Sequence, residues 1–116
     1  MDDRELLELA AKAAGISGGW GDKIEYHNGA VDLRDVWILE GDDLVPWNPL
    51  TDDGDALRLA VRLGITVAFW EYPQNSVAAY VSGDGIPASS ERHGEDKDAA
   101  TRRAIIRAAA AIGRAM

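Results

Sequence analysis

Two stretches of this chain, Ile65 to Tyr72 and Val77 to Ser82, alternate like β-strands yet present no polar side. Ile65, Val67 and Phe69 oppose Thr66, Ala68, Trp70 and Tyr72 in the first, and Val77, Ala79 and Val81 oppose Ala78 and Tyr80 in the second. Successive strand side chains point to opposite faces, so such strands belong where both faces are covered. Pro73-Gln74-Asn75-Ser76 between them fits a short hairpin loop. Val36 to Glu40 repeats the pattern, with Val36 and Ile38 on one side and Trp37 and Leu39 on the other.

Three segments have helical spacing. Leu6, Leu9, Ala10 and Ala13, widened by Leu7 and Ala14, form a stripe from Asp2 to Ala14 that Gly15 ends. Thr51 is placed to cap a second helix, with Asp52, Asp53 and Asp55 at its positive end. Leu57, Ala60 and Val61, extended by Leu59 and Leu63, give that helix its apolar stripe, Arg58 and Arg62 share another face, and Gly64 stops it. The alanine-rich segment Ala99 to Met116 sets Ile105, Ala108, Ala109, Ile112 and Met116 on one stripe.

The intervening segments are less regular. Ser17 to Asp22 is too glycine-rich to predict regular structure, and its Trp20 is expected to pin the loop to the body. Lys23 to Asn28 alternates as a half-exposed edge strand, and Asn28-Gly29 signals a hairpin turn. Pro46 has no N–H for a ladder and marks Leu44 to Trp47 as an edge or an ending. Gly83 to Asp98 lacks periodicity and reads as a mobile loop.

These elements predict an α+β fold in one domain, residues 1–116: a three-layer α-β-α sandwich with a small, mostly antiparallel sheet and three helices. The chain has no cysteine, so disulfides, thiolate metal sites and cysteine nucleophiles are excluded and stability must come from packing. Twenty acidic against twelve basic residues give a net charge of -8, which opposes direct nucleic-acid binding and anionic membranes. The acidic surface either mimics nucleic acid toward a basic partner or only solubilises the chain. Met1 to Glu5 has no secretory character and no apolar run spans a bilayer, so the expected location is cytoplasmic.

The lead-in Trp47-Asn48-Pro49-Leu50-Thr51-Asp52, the amphipathic helix after it, the strand hairpin and the Ala-Arg helix from Ala99 together resemble the phage ABA sandwich domain family. The likeness runs from about Trp47 to the C-terminus. It implies an α-β-α sandwich made by a bacterial virus or integrated element, working in the cytoplasm of a bacterial host, and it carries no catalytic residues.

The chemistry-bearing residues form no familiar constellation. Asp52-Asp53-Gly54-Asp55 fails as a calcium loop, because the twelfth position, where a bidentate glutamate belongs, is Leu63. His27 and His93 have no partner at metal-ligand spacing, Ser89-Ser90 lies in no nucleophile elbow, and Gly83-Asp84-Gly85 lacks phosphate-loop spacing. No enzyme, cofactor or metal site is expected. The residues that stand out for binding are Arg103, Arg107 and Arg114, within about 40° of one another on an ideal helix, and Trp47 with Asn48 beside the second helix. Guanidinium groups recognise phosphate and carboxylate in bidentate fashion, though a stripe of this kind also arises when arginines answer acids elsewhere in the fold. The expected function is a non-enzymatic phage or prophage binding protein acting on a host protein. The alternatives are a binder of a small anionic metabolite or nucleotide, and a structural or assembly subunit that pairs with itself.

Overall fold

A computed structural model describes residues 2–21, 24–26, 30–32, 34, 36–41, 45–70, 76–81, 89–92, 94 and 96–116. In chain order the elements are α1 (Asp3–Ala14), β1 (Gly18–Trp20), β2 (Ile24–Tyr26), β3 (Ala30–Asp32), β4 (Trp37–Leu39), β5 (Pro46–Trp47), α2 (Asp53–Leu63), β6 (Ile65–Trp70), β7 (Ser76–Val81), β8 (Ser89–Arg92) and α3 (Lys97–Ala115). The fold is α+β, with three helices and small antiparallel sheets among the described residues. His27, the Asn28-Gly29 turn, Pro73-Gln74-Asn75, Gly83-Asp84-Gly85 and His93 lie outside the described residues.

Each helix begins at an aspartate whose carboxylate accepts from a backbone N–H three residues on: Asp2 from Glu5, Asp52 from Asp55 and Asp96 from Ala99. A cap of this kind stabilises by about 1 kcal/mol. The cap of α2 is therefore Asp52 rather than Thr51, and α3 starts two residues before the expected Ala99, because in both places a carboxylate is one turn from a free amide. Gly15 and Gly64 close α1 and α2 in the left-handed conformation, each with φ 66°.

Helix α3 is the centre of the molecule. Ala104, Ile105, Ile106, Ala108, Ala109, Ala110 and Gly113 are all buried, more of its circumference than one stripe, while Met116 is exposed. The cause is cover on two sides, by α1 on one and by the sheet β6-β7-β8 on the other. Helix α1 runs in the same direction as α3: Asp3 meets Arg103, and Lys12 Nζ donates to the Met116 carbonyl oxygen at 3.4 Å. Their approach needs Gly113, since a Cβ there would stand 2.0 Å from the Leu9 carbonyl oxygen. The buried face of α1 is Leu6, Leu7, Ala10, Ala11 and Ala14, turned toward Leu7 and Ala11 from the expected stripe, with Leu9 and Ala13 only half-buried.

The hairpin β6–β7 forms in the register that pairs Ile65 with Val81 and Trp70 with Ser76. β8 adds to β7, pairing Glu91 with Val77 and Arg92 with Ser76. A strand thus lies within the segment expected to be a loop, because backbone pairing to a ready edge asks for no side-chain periodicity. Ile65, Val67, Val77 and Ala79 face α3 and α2 and join the core. The opposite face carries Thr66, Ala68, Ala78, Tyr80 and Trp70, of which Ala78 is buried and Thr66, Ala68 and Tyr80 are half-buried. Trp70, on a strand expected to be covered on both faces, is exposed.

A second sheet, ordered β1-β4-β5, pairs Trp20 with Trp37 and Trp37 with Trp47. The glycine-rich segment therefore does hold a strand. Gly18 is what permits it, for a Cβ there would lie 2.2 Å from the Ile38 carbonyl oxygen. β5 ends the sheet, as Pro46 requires. Trp20, Trp37, Leu39 and Trp47 pack against the same core as the helices. The three helices, the sheet β6-β7-β8 and the sheet β1-β4-β5 thus share one core in the described residues. A third pair, β2 with β3, forms the expected hairpin.

Candidate interaction surface

The structure scatters the residues singled out for binding. Arg103 donates to Asp3 of α1 at 3.2 Å, and Arg107 donates to Glu91 of β8. Two thirds of the arginine stripe is thus an internal brace, joining the central helix to an element on each side. Arg114 stands exposed in the last turn of α3, where its charge favours the negative helix end. Trp47 is only 4% exposed and belongs to the core. Asn48 builds the turn before α2: its Oδ1 accepts from the Leu50 N–H at 3.0 Å, and its own N–H donates to Asp55 at 3.0 Å. Asn48 lines a pocket of about 410 Å³ with Asp3, the partner of Arg103, but neither Trp47 nor any of the three arginines lines it.

The arginine that organises the fold is one the helical wheel passed over. Arg102 is largely buried; its Nε donates to the Leu50 carbonyl at 2.8 Å and its Nη1 to Asp53 at 2.6 Å, which ties α3 to the first turn of α2. Nothing in the local pattern marks it, because the partner carbonyl is 52 residues away. Trp20 does pin its segment: its Nε1 donates to Glu8 at 2.6 Å, its ring meets Trp37 edge-on at 5.3 Å, and the Arg4 guanidinium lies 4.5 Å from its ring centre. The Trp37 Nε1 is buried with no hydrogen-bond partner among the described residues.

The largest departure from the expected pattern is on α2. Its buried side chains are Ala56, Leu59 and Ala60, while Leu57 and Val61, expected in the stripe, are 64% and 74% exposed. The two are one turn apart on the same side of the helix, and a groove of about 820 Å³ runs from them to Leu39, Val45 and Pro46. Val45 is also exposed. On its other side Leu57 lines a second cleft, of about 480 Å³, with Val67, Ile105 and the exposed Phe69. Leu57 thus joins two apolar hollows into one ridge. Asp55, Arg58 and Arg62 line the larger hollow; Arg58 donates to Asp55 at 2.8 Å and lies 3.9 Å from Asp52.

Among the described residues, no three His, Asp or Glu side chains gather to hold a metal ion, and no helix is long and apolar enough to cross a membrane. At Asp32, hydrogen bonds from the Arg34 side chain and then its backbone lower the carboxyl to about 2. That pair is solvent-exposed and far from α2 in sequence. Comparisons of the chain with protein-family models, with curated proteins and with solved structures gave no match.

Proposed function

We propose that this chain is a non-enzymatic interaction protein whose protein contact is the outer face of α2. The carrying observation is that Leu57 and Val61 stand in solvent beside Val45 and Phe69 on a small chain of net charge -8. Scattered exposed apolar residues need no explanation, but a ridge that joins two hollows and is edged by charge has the anatomy of a protein-binding patch. The phage or prophage origin, the bacterial cytoplasm and a host partner come to this reading from the resemblance of Trp47 to Asp52 and the elements after it. The alternative of a small anionic ligand draws no support from the arginines, since Arg103 and Arg107 are engaged by Asp3 and Glu91.

The test is the double substitution Leu57→Ser and Val61→Ser. Both sites are exposed on the single chain, so circular dichroism, and the thermal midpoint at concentrations that hold the chain monomeric, should stay as in the wild type. The wild-type chain, immobilised, should retain a protein partner that the double variant loses. A variant that keeps every partner of the wild type would put the contact elsewhere on the molecule.

A further inference from the structure

We infer that the outer face of α2 is covered by the same face of a second copy of this chain, the two helices lying antiparallel about a two-fold axis. This rests on the reading of the α2 face as a protein contact, and puts a second copy there in place of the host protein. Leu57 and Val61, one turn apart, form the exposed apolar row, and Gly54 at its N-terminal end is half-buried beside the Arg58 guanidinium and the Asp52 carboxylate. Beside that row runs a charged flank, Asp52, Asp55, Arg58 and Arg62, whose continuity is shown by the contacts of Arg58 with both acids. Its order is acid, acid, base, base.

A two-fold axis between antiparallel helices sets each flank against its own reverse. Acid-acid-base-base then meets base-base-acid-acid, so the flank is complementary to itself. A parallel two-fold pair would instead turn the two flanks to opposite sides of the contact, where they would not meet. Packing Leu57 of one copy against Val61 of the other puts the axis level with Leu59. Arg62 then reaches the level of residue 56 on the second copy, one turn or less from Asp55 and Asp52 there. Arg62 has no hydrogen-bond or ion-pair partner among the described residues of its own chain. Leu59 and Ala56 beneath are buried in the core, so the face is presented on a fixed backbone.

Sedimentation of the full chain from micromolar to millimolar concentration tests the inference. The expected result is a monomer–dimer equilibrium whose dissociation constant rises about tenfold or more in the Leu57→Ser and Val61→Ser double variant. Arg62→Glu should weaken the dimer several-fold, and Arg62→Lys should retain most of it. The chain has no cysteine of its own, so single cysteines report the orientation: a mixture of Leu57→Cys and Val61→Cys should oxidise to a mixed disulfide faster than either variant alone. A dimer indifferent to Leu57 and Val61, or like-with-like disulfides forming faster, would overturn the arrangement. A monomer at every concentration that still captures a different protein through Leu57 and Val61 would end the second-copy inference and leave the interaction reading standing. A monomer that captures nothing would end both.

Discussion

Helices α2 and α3 carry the same two ingredients, apolar residues at helical spacing and arginines one turn apart, and the fold uses them in opposite ways. In α3 the apolar residues are turned inward nearly all round, and Arg103 and Arg107 close onto acids of other elements. In α2 only Ala56, Leu59 and Ala60 are buried; Leu57 and Val61 are left in water, and Arg58 bonds within its own helix. Position in the fold makes the difference. A central helix has neighbours on several sides to receive its side chains, whereas a peripheral one presents half its surface to whatever lies outside. An apolar residue on a peripheral helix is therefore evenly balanced between core and contact surface until the packing is known.

That contrast can be broken most directly by matched truncations. Ile106→Ala on α3 removes a fully buried side chain and should cost about 3 kcal/mol, within the range for such cavities. Val61→Ala on α2 should change monomer stability by no more than about 0.5 kcal/mol. Urea unfolding of the two variants, at concentrations low enough to hold the chain monomeric, compares them; equal losses would mean that α2 is buried on both sides.

The tight α1–α3 contact sharpens the same comparison. Gly113→Ala should destabilise by about 2 kcal/mol, because the helices must part to admit a methyl group against the Leu9 carbonyl, and that outweighs the roughly 1 kcal/mol favouring alanine over glycine in a helix. A gain in thermal midpoint would show that the helices have room to spare. Arg102→Met, which keeps the aliphatic stem but deletes the donors to Leu50 and Asp53, should cost about 1.5 kcal/mol. Hydrogen exchange would locate the effect: amides in the first turn of α2 should lose protection while those in the middle of α3 keep theirs.

The smallest effect belongs to the exposed Asp32–Arg34 pair, outside both helices. The folded carboxyl lies at about 2 against 3.8 for an unperturbed aspartate, so its contribution to stability is present above the ordinary value and lost as pH falls toward 2. An NMR titration should place the Asp32 midpoint near 2 and return it toward 3.8 in Arg34→Ala. A midpoint unchanged by that substitution would show that Arg34 is not its cause.

Much of the architecture was legible along the chain. The caps and glycine stops bounded the helices to within two residues, and the β6–β7 hairpin followed from two apolar runs around a turn. β1 and β8 were not legible, because glycines, serines and charged residues make a strand only when a partner edge is in place. The candidate surface was harder still. Leu57 and Val61 were visible as helical apolar residues, but their spacing is the same whether they face inward or outward. Arg102 was hidden for the opposite reason, since its partners are distant in sequence and its neighbours Arg103 and Arg107 offered a more regular pattern.

Local chemistry alone determined where the helices start and stop, that the core must hold without cross-links, and that β4, β6 and β7 are short and apolar. These follow from interactions that span a few residues, such as a carboxylate one turn from an amide or an alternation of side chains. Which face of α2 stays wet, which arginines brace the fold and how helices and sheets are layered were decided only by tertiary packing. Each depends on which surfaces meet across dozens of residues, and periodicity specifies a face without specifying its neighbour.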